Sequence, residues 1–277
     1  MQRATLVWAC GGSVLLRVDA DGHLCAADAA AILVPRPPYA PAGPLRCLTS
    51  APASNLVAAT TGEVGGAQPS SAVLLWSFAE GGARAEPLAL LPLSAPATAL
   101  AFSPSAGLLA VLDKERWLSV WELAAAGSGN HKPTISTSLT SPTVRMRTND
   151  SFSCLTFASD AKLCTASASR LAVWTLTRTS SVLRLAPAPG KPLFLPPAVS
   201  AGRGAVLTGL EAAPGGRRLW ATSSNGQLLQ LRASGCSYTV ASCVQVRRLS
   251  TCLAAHNSTN CHSFPPTSFP RLPLGSC

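Results

Sequence analysis

Apolar and polar positions alternate along this chain in a pattern that recurs four times. Each copy has two short apolar strands around a small-residue turn, then an alternating strand that ends on Trp or its equivalent. The copies run from Cys47 to Phe78, Ala97 to Leu123, Ser153 to Leu176 and Leu207 to Leu231. In the second, Ala97-Thr-Ala-Leu-Ala-Phe102 and Leu108-Leu-Ala-Val111 lead to Leu118-Ser-Val-Trp121. In the third, Ser153-Cys-Leu-Thr-Phe157 and Leu163-Cys-Thr-Ala166 lead to Leu171-Ala-Val-Trp174. A period of two residues sends neighbouring side chains to opposite sheet faces, so each unit reads as strands of one small sheet. Trp76 and Trp121 lie 45 residues apart, and Trp121 and Trp174 lie 53 apart. The first interval matches a four-stranded propeller blade of about 40–45 residues, and the eight extra residues of the second fit the polar insert from Gly127 to Asp150. The Trp residues are expected to pack between blades.

Turn chemistry supports the same segmentation. Ser103-Pro-Ser-Ala-Gly107, Ser159-Asp-Ala-Lys162 and Pro214-Gly-Gly216 stand at equivalent places, and Asn225-Gly226 marks a further hairpin. Thr5 to Val18 reads as two strands around Gly11-Gly12, with Asp21-Gly22 turning into Leu24, an opening partial blade. A Pro-rich connector follows through Pro35, Pro37, Pro38, Pro41 and Pro44. Thr61 to Ser71 is a long inter-strand loop, and Gly127 to Asp150 reads as a polar insert. After Arg232 the rhythm fades. The expectation is therefore an all-β propeller of about four to five blades over residues 5–232, with an irregular, disordered tail over 233–277. So few blades leave two sheet faces and their strand edges open, which favours a fragment or a truncated isoform of a larger ring.

Composition narrows the classes of function. Hydrophobic residues make up 47% and charged residues only 12%, a balance suited to strands buried on both faces. The longest apolar runs, Ala29 to Val34 and Leu88 to Leu93, are too short for a membrane helix. The N-terminal apolar run breaks at Gly11-Gly12-Ser13 and reads as a strand rather than a signal peptide. A net charge of +10, from 22 basic and 12 acidic residues, favours acidic partners. The basic residues are scattered, however, with adjacent pairs only at Arg217-Arg218 and Arg247-Arg248. No aromatics are interleaved with them as a nucleic-acid stacking platform requires, so most read as solvated loop charges.

Candidate chemistry is sparse. Cys10, Cys25, Cys47, Cys154 and Cys164 fall inside apolar strand patterns, where a thiol acts as a small hydrophobe. Cys236, Cys243, Cys252, Cys261 and Cys277 crowd the last 45 residues without a C-x-x-C pair. None of His23, His131, His256 and His262 stands in a nucleophile or metal motif, and Asp19 and Asp21 flank a turn. Gly62-Glu-Val-Gly-Gly66 lacks the Gly-Lys-Ser/Thr end of a phosphate loop. The expectation is no enzyme, with no catalytic residue, cofactor or metal site. Ser141-Pro142 is a proline-directed phosphorylation candidate, and Arg247-Arg-Leu249 with Leu253 is a loose kinase-docking strip.

The four units resemble the WD40 repeat family over roughly residues 5–232. The Gly-His before the first strand is absent, and Trp121-Glu122 and Trp174-Thr175 replace Trp-Asp. Glu115, Ala168 and Ser224 stand where that family commonly has a buried Asp, so the resemblance implies a degraded hydrogen-bonded tetrad. Gly11-Gly-Ser-Val-Leu-Leu16, Thr61-Gly-Glu63 and Val73-Leu-Leu-Trp76 resemble two narrower groups: the echinoderm microtubule-associated-like proteins and the mitogen-activated protein kinase binding scaffolds. Ala99-Leu-Ala-Phe-Ser-Pro-Ser-Ala106 fits the blade that follows in both. The segment from Gly202-Arg-Gly204 to Ser224-Asn-Gly-Gln-Leu-Leu-Gln-Leu231 resembles a later blade of the scaffolds. These resemblances imply a non-catalytic protein-interaction scaffold in the cytoplasm, using the loops Thr61 to Ser71 and Gly127 to Asp150. Its implied partners are kinase-cascade or cytoskeletal proteins, with no specific nucleic acid and no membrane. The alternative is binding to acidic tubulin surfaces at microtubules, centrosomes or cilia.

Overall fold

The computed structural model describes residues 6–9, 14–18, 23–26, 43–51, 54–61, 71–78, 85–123, 141–168, 170–180, 182–189, 192–194 and 206–245. Among these residues every regular element is a strand. The first sheet joins β1 (Leu6–Ala9), β2 (Val14–Val18) and β3 (Leu24–Ala26) in chain order. The second is β4 (Leu45–Ala51), β5 (Leu56–Thr61), β6 (Ser71–Phe78) and β7 (Ala85–Leu93). The third is β8 (Ala97–Phe102), β9 (Leu108–Asp113), β10 (Trp117–Glu122) and β11 (Val144–Arg147). The fourth is β12 (Cys154–Ser159), β13 (Lys162–Ala166), β14 (Arg170–Thr179) and β15 (Val182–Pro187), with β16 (Leu193–Phe194) added against β14. The fifth is β17 (Leu207–Ala212), β18 (Arg218–Ser223), β19 (Gln227–Ser234) and β20 (Ser237–Gln245). All pairings are antiparallel meanders. The first strand of each sheet lies beside the first strand of the next, so the sheets follow one another as blades.

Alternation explains how one strand serves two cores. In β6, Val73 and Leu75 join the cluster shared with the third sheet, while Leu74, Trp76 and Phe78 join the one shared with the first. In β9, Leu109 and Val111 face the second sheet, and Leu108, Ala110 and Leu112 face the fourth. In β14, Leu171 and Val173 face the fifth sheet, and Ala172, Trp174 and Leu176 face the third. Every residue of β5, β6 and β9 is buried, so these strands read as apolar runs with polar residues only towards their ends. Trp76, Trp121 and Trp174 all pack towards the preceding blade, as their alternation predicts. The far face of the fifth sheet is different. β18 alternates exposed and buried, and Trp220 is 38% exposed.

Two sequence readings need correction at the outer strands. The polar insert ends in a strand, since Val144-Arg-Met-Arg147 pairs with Val120 to Trp117. The strand rhythm also continues past Arg232, because β20 pairs along the whole of β19, from Gln227↔Gln245 to Ser234↔Ser237. Outer strands are half-exposed edges, so charges, Ser and Pro are tolerated there and dilute the apolar signal. Pro87 and Pro92 in β7 are both exposed on such an edge. The Pro-rich connector apart from Pro44, the loop at 62–70 and the tail from 246 onward lie outside the described residues.

Turns repeat in geometry where they differ in letters. In Asp113 to Trp117, the Asp113 carboxylate accepts the Trp117 N–H at 2.8 Å and Arg116 has φ 69°. In Ser223 to Gln227, the Ser223 hydroxyl accepts the Gln227 N–H at 3.0 Å and Gly226 has φ 82°. Each turn also closes a backbone bond, Arg116 N–H to Asp113 C=O and Gly226 N–H to Ser223 C=O. Gly216 (φ 65°) fits tightly against the fourth sheet: a Cβ there would come within 2.0 Å of the Ala158 carbonyl oxygen. Its own carbonyl accepts the Tyr238 hydroxyl at 2.7 Å. Gly215→Ala and Gly235→Ala meet open space and should cost only the left-handed penalty of about 1–2 kcal/mol. Gly216→Ala should exceed that in a thermal melt, and equal losses would contradict the contact.

The buried Trp side chains differ in whether their Nε1–H finds a partner within the sheet. Trp174 donates its Nε1–H to Thr165 Oγ1 at 2.8 Å. Leu163 pairs with Trp174 as Leu109 pairs with Trp121, which puts Val111 in the place of Thr165. Accordingly, the buried Trp121 Nε1 has no partner among the described residues. Thr165→Val should therefore destabilise by about 1–3 kcal/mol, whereas Val111→Thr should be neutral or gain about 1 kcal/mol. Chemical denaturation of both variants checks this, and opposite signs would refute the assignment.

Candidate functional site

Antiparallel meanders divide the connections between two rims. One rim carries 94–96, 114–116, 148–153 and 167–168, so polar groups from the third and fourth sheets converge there. Thr148, 3% exposed, organises the middle of it. Its N–H and Oγ1 both donate to the Arg116 carbonyl, at 2.8 and 3.1 Å, and Oγ1 also approaches the Asp150 carbonyl at 2.9 Å. Arg116 in turn donates to the Asn149 carbonyl at 3.3 Å.

Pairing of β10 with β11 puts Trp117 opposite Arg147. The Arg145 guanidinium sits 4.2 Å from the Trp117 ring centroid, and that of Arg147 sits 6.0 Å away. Arg145 also donates to Ser94 Oγ at 2.6 Å and lies 3.7 Å from the buried Asp113 carboxylate. Burial pushes the Asp113 carboxyl above its usual range, against the opposing pull of the Trp117 N–H and of Arg145. Cation–π stacking holds both guanidinium groups along one face. With Arg116, they make a basic and aromatic surface beside the loop at 148–153. This corrects the expectation that no aromatic is interleaved with the basic residues, because β11 returns across the insert to meet Trp117.

The opposite rim carries a different staple. Asp160 accepts the Ser105 N–H at 3.0 Å, linking the hairpins of the third and fourth sheets. Partial burial raises its carboxyl, but bonds from Ser105 and Ser103 outweigh that and leave it below the usual value. Glu122 and Arg178 form an ion pair nearby.

The individual candidates are dispersed. His23 is exposed, and His131, His256 and His262 lie outside the described residues, as do Cys10, Cys252, Cys261, Cys277, Asp19, Asp21 and the Arg247-Arg248 strip. Ser141 is exposed on the second rim, next to Thr143, whose Oγ1 accepts the Glu122 N–H at 3.0 Å. Among the described residues no three His, Cys, Asp or Glu side chains cluster as metal ligands. Cys154 and Cys164 are buried, while Cys236 and Cys243 are exposed. Burial pushes the Cys164 thiol up to about 12, despite Lys162 and Tyr238 pulling it down. Burial likewise raises Cys47. A thiol reagent at neutral pH should label Cys236 and Cys243 in the native protein and spare Cys154 and Cys164 until unfolding, as read by peptide mass spectrometry.

Successive antiparallel sheets, packed face to face with their first strands side by side, define a β-propeller. Among solved structures, Hsv2p of Kluyveromyces lactis, a yeast WD40 β-propeller protein, superimposes with a TM-score of 0.51 at 16% identity. The match covers 69% of this chain and 61% of that one, so this chain spans less than two thirds of that protein's length. No family model matches the sequence. No curated protein matches it either. Structural likeness extends to 1111 chains, so it shows the fold and selects no function within it.

Proposed function

We propose that this chain is a non-catalytic protein-interaction scaffold, a WD40-type propeller that binds partners through its loop rims. The observation that carries this reading is the surface formed by Arg116, Trp117, Arg145 and Arg147. Hydrophobic side chains are consumed between the sheets, whereas this basic and aromatic face is held outward on a rigid support. Rigid scaffolds with exposed loops suit recognition. A stacked guanidinium keeps donors free for carboxylates, so acidic protein segments are its natural partners.

A more specific reading follows from the net charge of +10 and from the resemblance to microtubule-associated-like proteins and kinase-binding scaffolds. In that reading the acidic segments are tubulin tails, and the protein works in the cytoplasm at microtubules, centrosomes or cilia. Kinase-cascade proteins are the partners if the scaffold resemblance dominates.

Co-sedimentation with microtubules, with and without their acidic tails, tests both readings. Arg147→Glu reverses a charge while leaving the Arg145–Asp113 pair intact, and should weaken binding about tenfold, about 1.4 kcal/mol. Binding should also fall steeply as salt rises from about 50 to 200 mM. Salt-insensitive pelleting, or pelleting unchanged by the reversal, would reject an acidic partner at this face.

A further inference from the structure

One blade along the same rim, a cavity of about 180 Å3 opens beside β14. Its origin lies in the chain after β15. The ladder with β14 runs to Trp174↔Pro187 and closes with a bond from Ala188 N–H to Val173 C=O. Beyond this bond the chain leaves the ladder. It rejoins β14 only at Leu193↔Leu171 and Phe194↔Arg170. The gap between these two pairings leaves Ala172 without a ladder partner on that side, and the cavity lies beside it.

The walls are of two kinds. Phe152 and Trp174 meet edge to face, with centroids 6.3 Å apart, and Pro187, Pro189 and Pro192 complete an apolar collar. Arg170 and Asp150 supply the polar side as an ion pair, with the Arg170 guanidinium 5.9 Å from the Phe194 ring centroid. Arg170 Nε is buried and has no hydrogen-bond partner among the described residues. Native proteins rarely leave a buried donor unpaired, because its lost hydration is not recovered. An acceptor in the cavity would restore that bond.

The nature of the acceptor follows from charge and size. Asp150 already neutralises the guanidinium and would repel a second carboxylate, so a neutral carbonyl fits better than an anion. The volume is below the roughly 300–1,000 Å3 of cofactor and drug-sized sites. It corresponds to about six waters at ~30 Å3 each, room for one residue.

We propose that this cavity is an anchor pocket that takes a single apolar side chain of a partner peptide, whose backbone carbonyl accepts from Arg170 Nε–H. The pocket is separate from the basic face, and either can fail without the other.

Cys236 lines this cavity and is exposed, whereas Cys243, also exposed, is not among its lining residues. Disulfide exchange on the full chain can therefore use Cys236 as a reporter and Cys243 as its internal control. The probes are disulfides of N-acetyl-leucyl-cysteamine, of N-acetyl-cysteamine without the side chain, and of succinyl-cysteamine with a carboxylate. Capture is read by peptide mass spectrometry. The leucyl probe should be captured at Cys236 about tenfold more than the acetyl probe, from burial of its side chain, and at Cys243 equally. Arg170→Lys keeps the charge facing Asp150 but removes Nε, and should lower capture of the leucyl probe at Cys236 several-fold while leaving its capture at Cys243 unchanged. Equal capture of leucyl and acetyl probes at Cys236 in the unsubstituted protein would mean that water alone fills the cavity, and would overturn the proposal without recourse to a variant. A preference for the succinyl probe would overturn the neutral acceptor. Leucyl capture at Cys236 that is undiminished in folded Arg170→Lys protein would overturn the hydrogen bond.

Discussion

Each inner sheet of this protein must bury both of its faces, and that demand governs the rest of the structure. A strand such as β6 cannot satisfy it alone, because Val73 and Leu75 point to one neighbour while Leu74, Trp76 and Phe78 point to the other. Fully burying a Leu or Val side chain contributes about 1.5–3 kcal/mol, so each interface is worth far more than any rim contact. Stability is therefore shared between neighbours, and no blade is an independent core. The fifth sheet shows the same rule from its other side. Leu219, Ala221, Leu229, Leu231 and Tyr238 are buried against the fourth sheet, while Trp220 and Val244 on that sheet remain exposed.

Confining apolar residues to the interfaces leaves the rims for polar geometry. There, hydrogen bonds fix loops whose sequences differ. Asp113 and Ser223 cap equivalent turns with different oxygens, and Arg116 adopts the left-handed conformation that Gly226 adopts at no steric cost. Because Thr148 ties Arg116 to the 148–153 loop, the basic face and the neighbouring cavity share one support. Their chemistry is nonetheless distinct. One presents stacked guanidinium groups to solvent, and the other presents apolar walls with one unpaired donor.

Legibility in the sequence followed burial. Strands with both faces covered were plain, β9 from its apolar run and β14 from its alternation, and the small-residue turns were plain from Pro and Gly. The fourth strand of each blade was not. Val144-Arg-Met-Arg147 has the right period, but only Val144 and Met146 pack against the core, and its charged partners on the other face resemble a loop. The segment from Ser237 to Gln245 likewise carries too little apolar signal for an edge strand to stand out from a tail.

By itself, the sequence determined the all-β class, the repeat length, the turn positions and the packing role of Trp76, Trp121 and Trp174, because side-chain alternation is written between residues two apart. Only the tertiary structure decided which residues share a site. Trp117 meets Arg145 and Arg147 across an intervening insert, and Arg170 acquires its cavity where pairing to β14 lapses between Pro187 and Leu193. Such juxtapositions depend on strand pairing and on the path of the backbone between pairings, and neither has a local signature in the order of the residues.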